Sequence, residues 1–236
     1  MVNLLDPAGV IARMFEAKKF DDMFAYCKRI LAKDPDDMLA LQNTALSLLH
    51  LEKYNEAIAY CDQVLKIKPH DTYALKNKIY ALENLKKYDQ AIFYSNQILA
   101  NNKHDIWALN SIGLSLNELD RHGEAIEFYD KVLVLDPADA TALMNKAISL
   151  HHLNRIYESI EYYDKAQASN ANSKEAAIAK SKAFQELGLE DESFLAAQGV
   201  LLKDMPKIKQ DAKKNKCTVF HQFCENEFAE YESKYY

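Results

Sequence analysis

The amino-acid sequence predicts an all-α protein built from repeated helix–turn–helix units. Three segments, NEAIAYCDQVLKIKPHD (55–71), DQAIFYSNQILANNKHD (89–105) and GEAIEFYDKVLVLDPAD (123–139), resemble one another and follow at intervals of 34 residues. Within each segment the apolar residues recur at helical spacing. The chain of 236 residues has only 5 glycines and 5 prolines, which is few for an all-β fold with its many tight turns.

The same register can be followed from about residue 4 to about residue 203. Pro35, Pro69 and Pro137 share one position in the repeat. A second position holds small residues, which allow two helices to approach closely. Its occupants are Ala57, Ala91, Ala125, Ser159 and Ser193, with Met23 as a larger counterpart at the start.

Each unit is predicted to contain two helices. In residues 38–71 an apolar face runs to Leu51, breaks over Glu52 to Asn55, and resumes from Ala57. Just before the first helix of each unit stands an aspartate, whose carboxylate suits an N-cap. These aspartates are Asp37, Asp71, Asp105 and Asp139.

These residues make the chain similar to tetratricopeptide repeat proteins. The family positions are matched in the third full unit by Leu109, Ile112, Gly113, Leu116, Ala125, Tyr129, Val132 and Pro137. Four units match well (38–71, 72–105, 106–139 and 140–173), with a weaker unit on each side. The resemblance implies a right-handed superhelix of about six units over residues 1–203. It also implies that the first helices line a concave groove that holds a peptide or a partner helix.

On this register twelve first-helix residues are expected to face the groove. They are Leu39, Gln42, Leu46, Tyr73, Lys76, Tyr80, Trp107, Asn110, Leu114, Thr141, Met144 and Ile148. Leu46, Tyr80, Leu114 and Ile148 form an apolar row that the family's core pattern does not require. Such a row indicates a partner, because exposed apolar surface and aromatic side chains typify binding sites. The alternative is that these side chains pack against neighbouring first helices or the protein's own tail.

Residues 204–236 depart from the repeat pattern and are predicted to form a basic linker and a C-terminal amphipathic capping helix. Repeat arrays need such a cap over their last apolar face. Phe220, Phe223, Phe228, Tyr231 and Tyr235 recur near helical spacing in this segment. The basic run from Lys203 to Lys216 is interpreted as a solvated linker, with contact to acidic lipid or protein surfaces as the alternative.

The predicted function is a non-catalytic interaction module with a protein or peptide partner and no cofactor or metal. The alternative is an assembly protein, a homo-oligomer joined through Trp107, Tyr73 or the aromatic tail. A carboxylate clamp for a chaperone's C-terminus is not expected, since Lys76, Tyr80, Ser111, Thr141 and Asn145 do not supply the required cations.

Charge and sequence pattern exclude other classes of function. A net charge of -6 argues against nucleic-acid binding, which needs a basic face. The sequence shows neither a secretory signal nor a membrane span, so a cytoplasmic protein is expected.

Candidate metal or catalytic residues are few, and each has a simpler interpretation. His70 and His104 precede capping aspartates, and His151 and His152 are neighbours on one helix and should point apart. Cys27 and Cys61 occupy one interior position of two repeats and are interpreted as core residues. Cys217, His221 and Cys224 have the spacing of one helical face and could ligate a metal, but an amphipathic helix is the preferred interpretation.

Overall fold

The predicted helix pairs are present, and they repeat with the expected period. A computed structural model describes residues 6–169 and 174–235, with side chains up to residue 227. Within these ranges it contains fourteen helices and no strand. The chain divides into two compact units, Met1–Leu119 and Asp120–Tyr236.

The first unit contains seven helices in its described residues. They are α1 (Pro7–Glu16), α2 (Phe20–Leu31), α3 (Met38–His50), α4 (Tyr54–Ile67), α5 (Thr72–Asn84), α6 (Tyr88–Asn101) and α7 (Ile106–Glu118). Each helix packs against the next, and α3 and α5 as well as α5 and α7 also touch. The first helices of successive repeats are therefore neighbours.

The second unit continues the pattern and then departs from it. Its helices are α8 (His122–Leu135), α9 (Ala140–His152), α10 (Ile156–Ser169), α11 (Lys174–Glu186), α12 (Glu190–Ala197), α13 (Met205–Asn215) and α14 (Val219–Tyr235). Helices α3, α5, α7, α9 and α11 begin 34 residues apart. The fold is an all-α helical-repeat solenoid.

The four aspartates predicted as N-caps fill that role. The Oδ1 atoms of Asp37, Asp71, Asp105 and Asp139 accept hydrogen bonds from the backbone N–H three residues later, at 2.7, 2.9, 2.9 and 2.7 Å. Each bond satisfies an amide that the helix leaves without a partner.

The turn inside each repeat is shorter than the sequence indicates, and it contains a left-handed residue. In the first well-matched unit α3 ends at His50 and α4 begins at Tyr54, so Asn55 is helical. The left-handed residues again lie 34 apart: Lys18, Glu52, Lys86, Asp120, Asn154 and Gly188, with φ from 53° to 71°. Only the last is glycine, the residue that adopts this conformation without a steric penalty.

The small-residue position lies in the core. Ala57, Ala91, Ala125 and Ser159 are fully buried, and so is the larger Met23. Met23 belongs to the first core cluster, together with Ile11, Cys27 and Leu41. The two interior cysteines are thus packing residues, and burial raises the pKa of Cys61 to about 12.

The basic segment is a helix rather than an open linker. Helix α13 buries Met205 and Ala212 in the core cluster that contains Ile160, Phe184 and Leu195. Helix α14 follows, and the Phe220 and Phe223 rings lie 5.3 and 5.7 Å from Phe194 on α12. These contacts cover the last repeat, while Phe228, Tyr231 and Tyr235 lie outside the described side chains. The boundary at 203/204 stays a prediction.

In the described part of the chain, no helix is both long enough and apolar enough to cross a bilayer.

Candidate partner-binding clefts

The predicted groove residues occupy three rows along the first helices. The outer row, Leu39, Tyr73, Trp107 and Thr141, is exposed. In the third row Tyr80 and Leu114 are exposed by 48% and 38%, while Leu46 and Ile148 are half-buried. Large apolar side chains therefore remain accessible to solvent in two of the three rows.

In the first unit, two residues of the middle row, Gln42 and Lys76, connect a first helix to the cap of the next repeat. Gln42 Nε2 donates a hydrogen bond of 3.2 Å to Asp71 Oδ1, and Lys76 Nζ lies 3.2 Å from Asp105 Oδ2. Burial alone would raise the pKa of Asp71. The hydrogen bonds that the carboxylate accepts from Ala74 N–H, Lys68 and Gln42 outweigh burial, so the pKa falls below its ordinary value.

Four of the predicted residues meet in one cleft of the first unit, here called the aromatic cleft. It has a volume of about 380 Å³ and is lined by Leu46, Leu49, His50, Lys76, Asn77, Tyr80 and Trp107. Lys76 Nζ stands 5.1 Å from the centroid of the Trp107 ring, a cation–π contact. Leu39, Gln42, Tyr73, Asn110 and Leu114 do not line this cleft.

A second cleft lies in the second unit, here called the histidine cleft. Its volume is about 260 Å³, and its lining residues are Ile148, His151, His152, Tyr163, Ala179 and Lys182. Of the twelve predicted residues only Ile148 contributes to it. Met144 packs against the core cluster of Leu143, Ala166 and Ala176, which favours the self-packing alternative at that position.

The two adjacent histidines have different partners, as their positions on the helix indicate. His151 Nε2 lies 2.8 Å from Glu186 Oε2 on α11. The His152 ring stacks on His122 of α8 with centroids 4.5 Å apart and planes inclined by 12°. Burial, together with the neighbouring His152, lowers the pKa of His122 from its ordinary value, although Asp120 opposes this.

The described residues hold no group of three or more metal-ligating side chains. Cys217 precedes the first residue of α14, so it does not share a helical face with His221 and Cys224. His221 Nε2 is 3.0 Å from Glu225 Oε1. The predicted spacing of metal ligands therefore does not correspond to one side of a helix.

Three buried lysines are a feature that sequence reasoning missed. Lys78 Nζ donates to Asp62 Oδ1 at 2.5 Å and to Tyr94 Oη at 2.7 Å, and Lys146 makes the same two bonds to Asp130 and Tyr162. Lys180 donates to Asp164 Oδ1 at 2.6 Å and to the Val200 carbonyl at 2.9 Å. In each case the aspartate precedes the lysine by 16 residues. This repeated spacing is the feature of the sequence from which the three ion pairs could have been predicted.

The geometry defines a helical-repeat protein with accessible clefts between first helices. A sequence profile of the tetratricopeptide repeat family matches residues 25–72 and 110–174. These two segments of the chain are therefore tetratricopeptide repeats.

Solved structures support this assignment at the level of the fold. PilW, described as a widely conserved type IV pilus biogenesis factor, is 17% identical with a TM-score of 0.72, covering 80% of this chain and 88% of PilW. MamA (41-end) from Desulfovibrio magneticus RS-1 is 20% identical with a TM-score of 0.65, covering 71% and 94%. YrrB, described as a TPR protein with an unusual peptide-binding site, is 13% identical with a TM-score of 0.57, covering 73% and 89%. A comparison with curated proteins gave no match.

Proposed function

We propose that this protein is a non-catalytic interaction module that binds a peptide or partner helix through the first helices. The observation that carries the proposal is the aromatic cleft, in which Leu46, Tyr80 and Trp107 present apolar surface to solvent. Apolar clefts bordered by a few polar groups are typical binding sites, and Trp and Tyr dominate interface energetics. The description of YrrB as a protein with a peptide-binding site adds support by analogy of fold.

The chemistry of the cleft favours an apolar or aromatic anchor side chain on the partner. Lys76 is already engaged by Asp105 and Trp107, so the remaining accessible lining is mostly apolar. The aromatic cleft therefore differs from a clamp for a terminal carboxylate, which requires several unpaired cations. A cytoplasmic location remains part of this proposal.

The test compares two triple variants in an affinity capture from native lysate, followed by binding measurements on each captured protein after purification. The groove variant carries Leu46→Glu, Tyr80→Glu and Leu114→Glu. The control carries Ile67→Glu, Phe93→Glu and Val134→Glu, which change exposed apolar residues of second helices. Both variants add the same charge, and helicity by circular dichroism verifies folding.

We expect the groove variant to lose its partners, because hot-spot residues each contribute about 2 kcal/mol or more to binding. The control should retain them. Recovery of the same proteins by wild type and both variants would refute a groove-binding function. If the wild type has the solution mass of a dimer and the groove variant has that of a monomer, the result would instead support assembly through this face.

A further inference from the structure

Helix α13 and its two flanks carry a concentration of positive charge on an otherwise acidic chain. Residues 203–216 contain six lysines against Asp204 and Asp211, a net charge of +4. Because the whole chain has a net charge of -6, the remaining residues together carry -10. This separation of charge gives the molecule a local cationic surface.

Five of the six lysines have no ion-pair partner among the side chains that the structure describes, and all five are exposed. They are Lys203, Lys207, Lys213, Lys214 and Lys216. The sixth, Lys209, pairs with Glu192 of α12. These five lysines are therefore not accounted for by intramolecular charge pairing.

The other side of α13 fixes the orientation of these lysines. Met205 and Ala212 are buried in the core of the second unit, and Ile208 packs against the same cluster. Lys207 and Lys214, seven residues apart, fall on the opposite side of the helix. The apolar face is therefore already used for folding, and the basic face alone is available to a partner.

We propose that the basic face of α13 binds the surface of an anionic lipid bilayer. Clusters of four to eight basic residues on an amphipathic helix suit anionic headgroups. Every basic residue here is lysine, a mobile point charge, whereas paired recognition of protein carboxylates favours the fixed fork of arginine. Phe220 lies four residues after Lys216 in the sequence. Its side chain is 60% exposed and adds apolar surface for contact with the bilayer.

The experiment measures flotation of the full chain with vesicles of phosphatidylcholine alone or with about 30% phosphatidylserine. The test variant carries Lys207→Gln, Lys213→Gln and Lys214→Gln. The matched control, Lys33→Gln, Lys66→Gln and Lys103→Gln, removes the same charge from exposed lysines of the first unit. Circular dichroism verifies that both variants fold.

The wild type should bind the phosphatidylserine vesicles at about 0.05 M salt and dissociate at about 0.3 M. Each lysine near the surface is expected to contribute about fivefold in affinity, so the test variant should lose about a hundredfold and the control little. The proposal would be overturned if the wild type did not bind the phosphatidylserine vesicles at low salt, or if both variants lost vesicle binding equally. It would also be overturned if polyglutamate captured the protein and the vesicles did not. Its outcome is independent of the groove, because no groove residue is changed.

Discussion

The aromatic cleft and the histidine cleft occupy the same place in the repeat but have different chemistry. Their lining residues correspond at intervals of 102 residues, which is three repeats: Leu46 with Ile148, Leu49 with His151, His50 with His152, Asn77 with Ala179, and Tyr80 with Lys182. The repeat thus supplies a cleft between first helices at both places, and substitutions at a few positions change the chemistry of its lining.

The core shows a similar contrast between two of the buried lysines, Lys78 and Lys180. The Lys78 pair in the first unit relies on Asp62, whose side chain is 44% exposed, whereas the Lys180 pair in the second relies on Asp164, which is 18% exposed. Burial would lower the pKa of Lys78, but Asp62 and Tyr94 outweigh it and raise the pKa. For Lys180 burial prevails over Asp164 and the pKa falls.

The largest expected effect is that of Asp164→Ala. This change leaves the buried Lys180 without its counter-ion and removes the acceptor of the Leu202 N–H, which lies 2.9 Å from Asp164 Oδ1. We expect a loss of about 3 kcal/mol in the free energy of unfolding, and about 1 kcal/mol for Asp62→Ala. Urea denaturation of both variants measures the difference.

The chain contains its own control for this prediction. Asp62, Lys78 and Tyr94 form one hydrogen-bonded group in the first unit. At the positions 34 residues later the sequence has Asn96, Ile112 and Phe128 instead. The combined change Asp62→Asn, Lys78→Ile and Tyr94→Phe should therefore destabilise less than Asp62→Ala alone, since it leaves no buried charge. Equal losses of stability for Asp164→Ala and Asp62→Ala would remove the contrast between Lys180 and Lys78.

A smaller effect is expected at the left-handed turn positions. An added Cβ at Gly188 meets nothing within 4 Å, so Gly188→Ala introduces only the strain of φ +71°. We expect a loss of about 1 kcal/mol in the second unit. The reverse change in the first unit, Lys86→Gly, should relieve strain at φ 57°, with a gain of at most about 1 kcal/mol. A loss for Lys86→Gly, measured by thermal unfolding, would contradict this account.

The smallest effect concerns the stacked rings near the start of α8. The pKa of His122 is lower in the folded protein than its ordinary value of 6.5, so the unfolded chain binds more protons. Stability contributed by this group is therefore present above pH 6.5 and is lost as the pH falls below it. The corresponding stack in the first unit pairs Phe20 with His50 at 4.0 Å and lacks the second imidazole.

His152→Gln tests this comparison, because it removes the imidazole that disfavours protonation of His122. Histidine titration followed by NMR should show the pKa of His122 rising in the variant. If the pKa of His122 is the same in the variant, burial alone accounts for its lowered pKa. His50→Gln serves as the control and should leave His122 unaffected.

The sequence by itself determined the period, the capping aspartates and the buried small positions. These follow from local requirements, since an unpaired helix amide needs an acceptor and closely packed helices need a short side chain. Repetition of the pattern made each of them visible several times.

Only the tertiary structure decided which of the predicted groove residues share a cleft and where charge is buried. Leu46, Lys76, Tyr80 and Trp107 meet because three first helices are neighbours, whereas Leu39 and Tyr73 on the same helices do not reach that cleft. Lys78 resembles a surface lysine in sequence, and its burial depends on α4 and α6 supplying Asp62 and Tyr94. Such contacts depend on how separate helices pack against one another, and the periodicity within one helix carries no information about that packing.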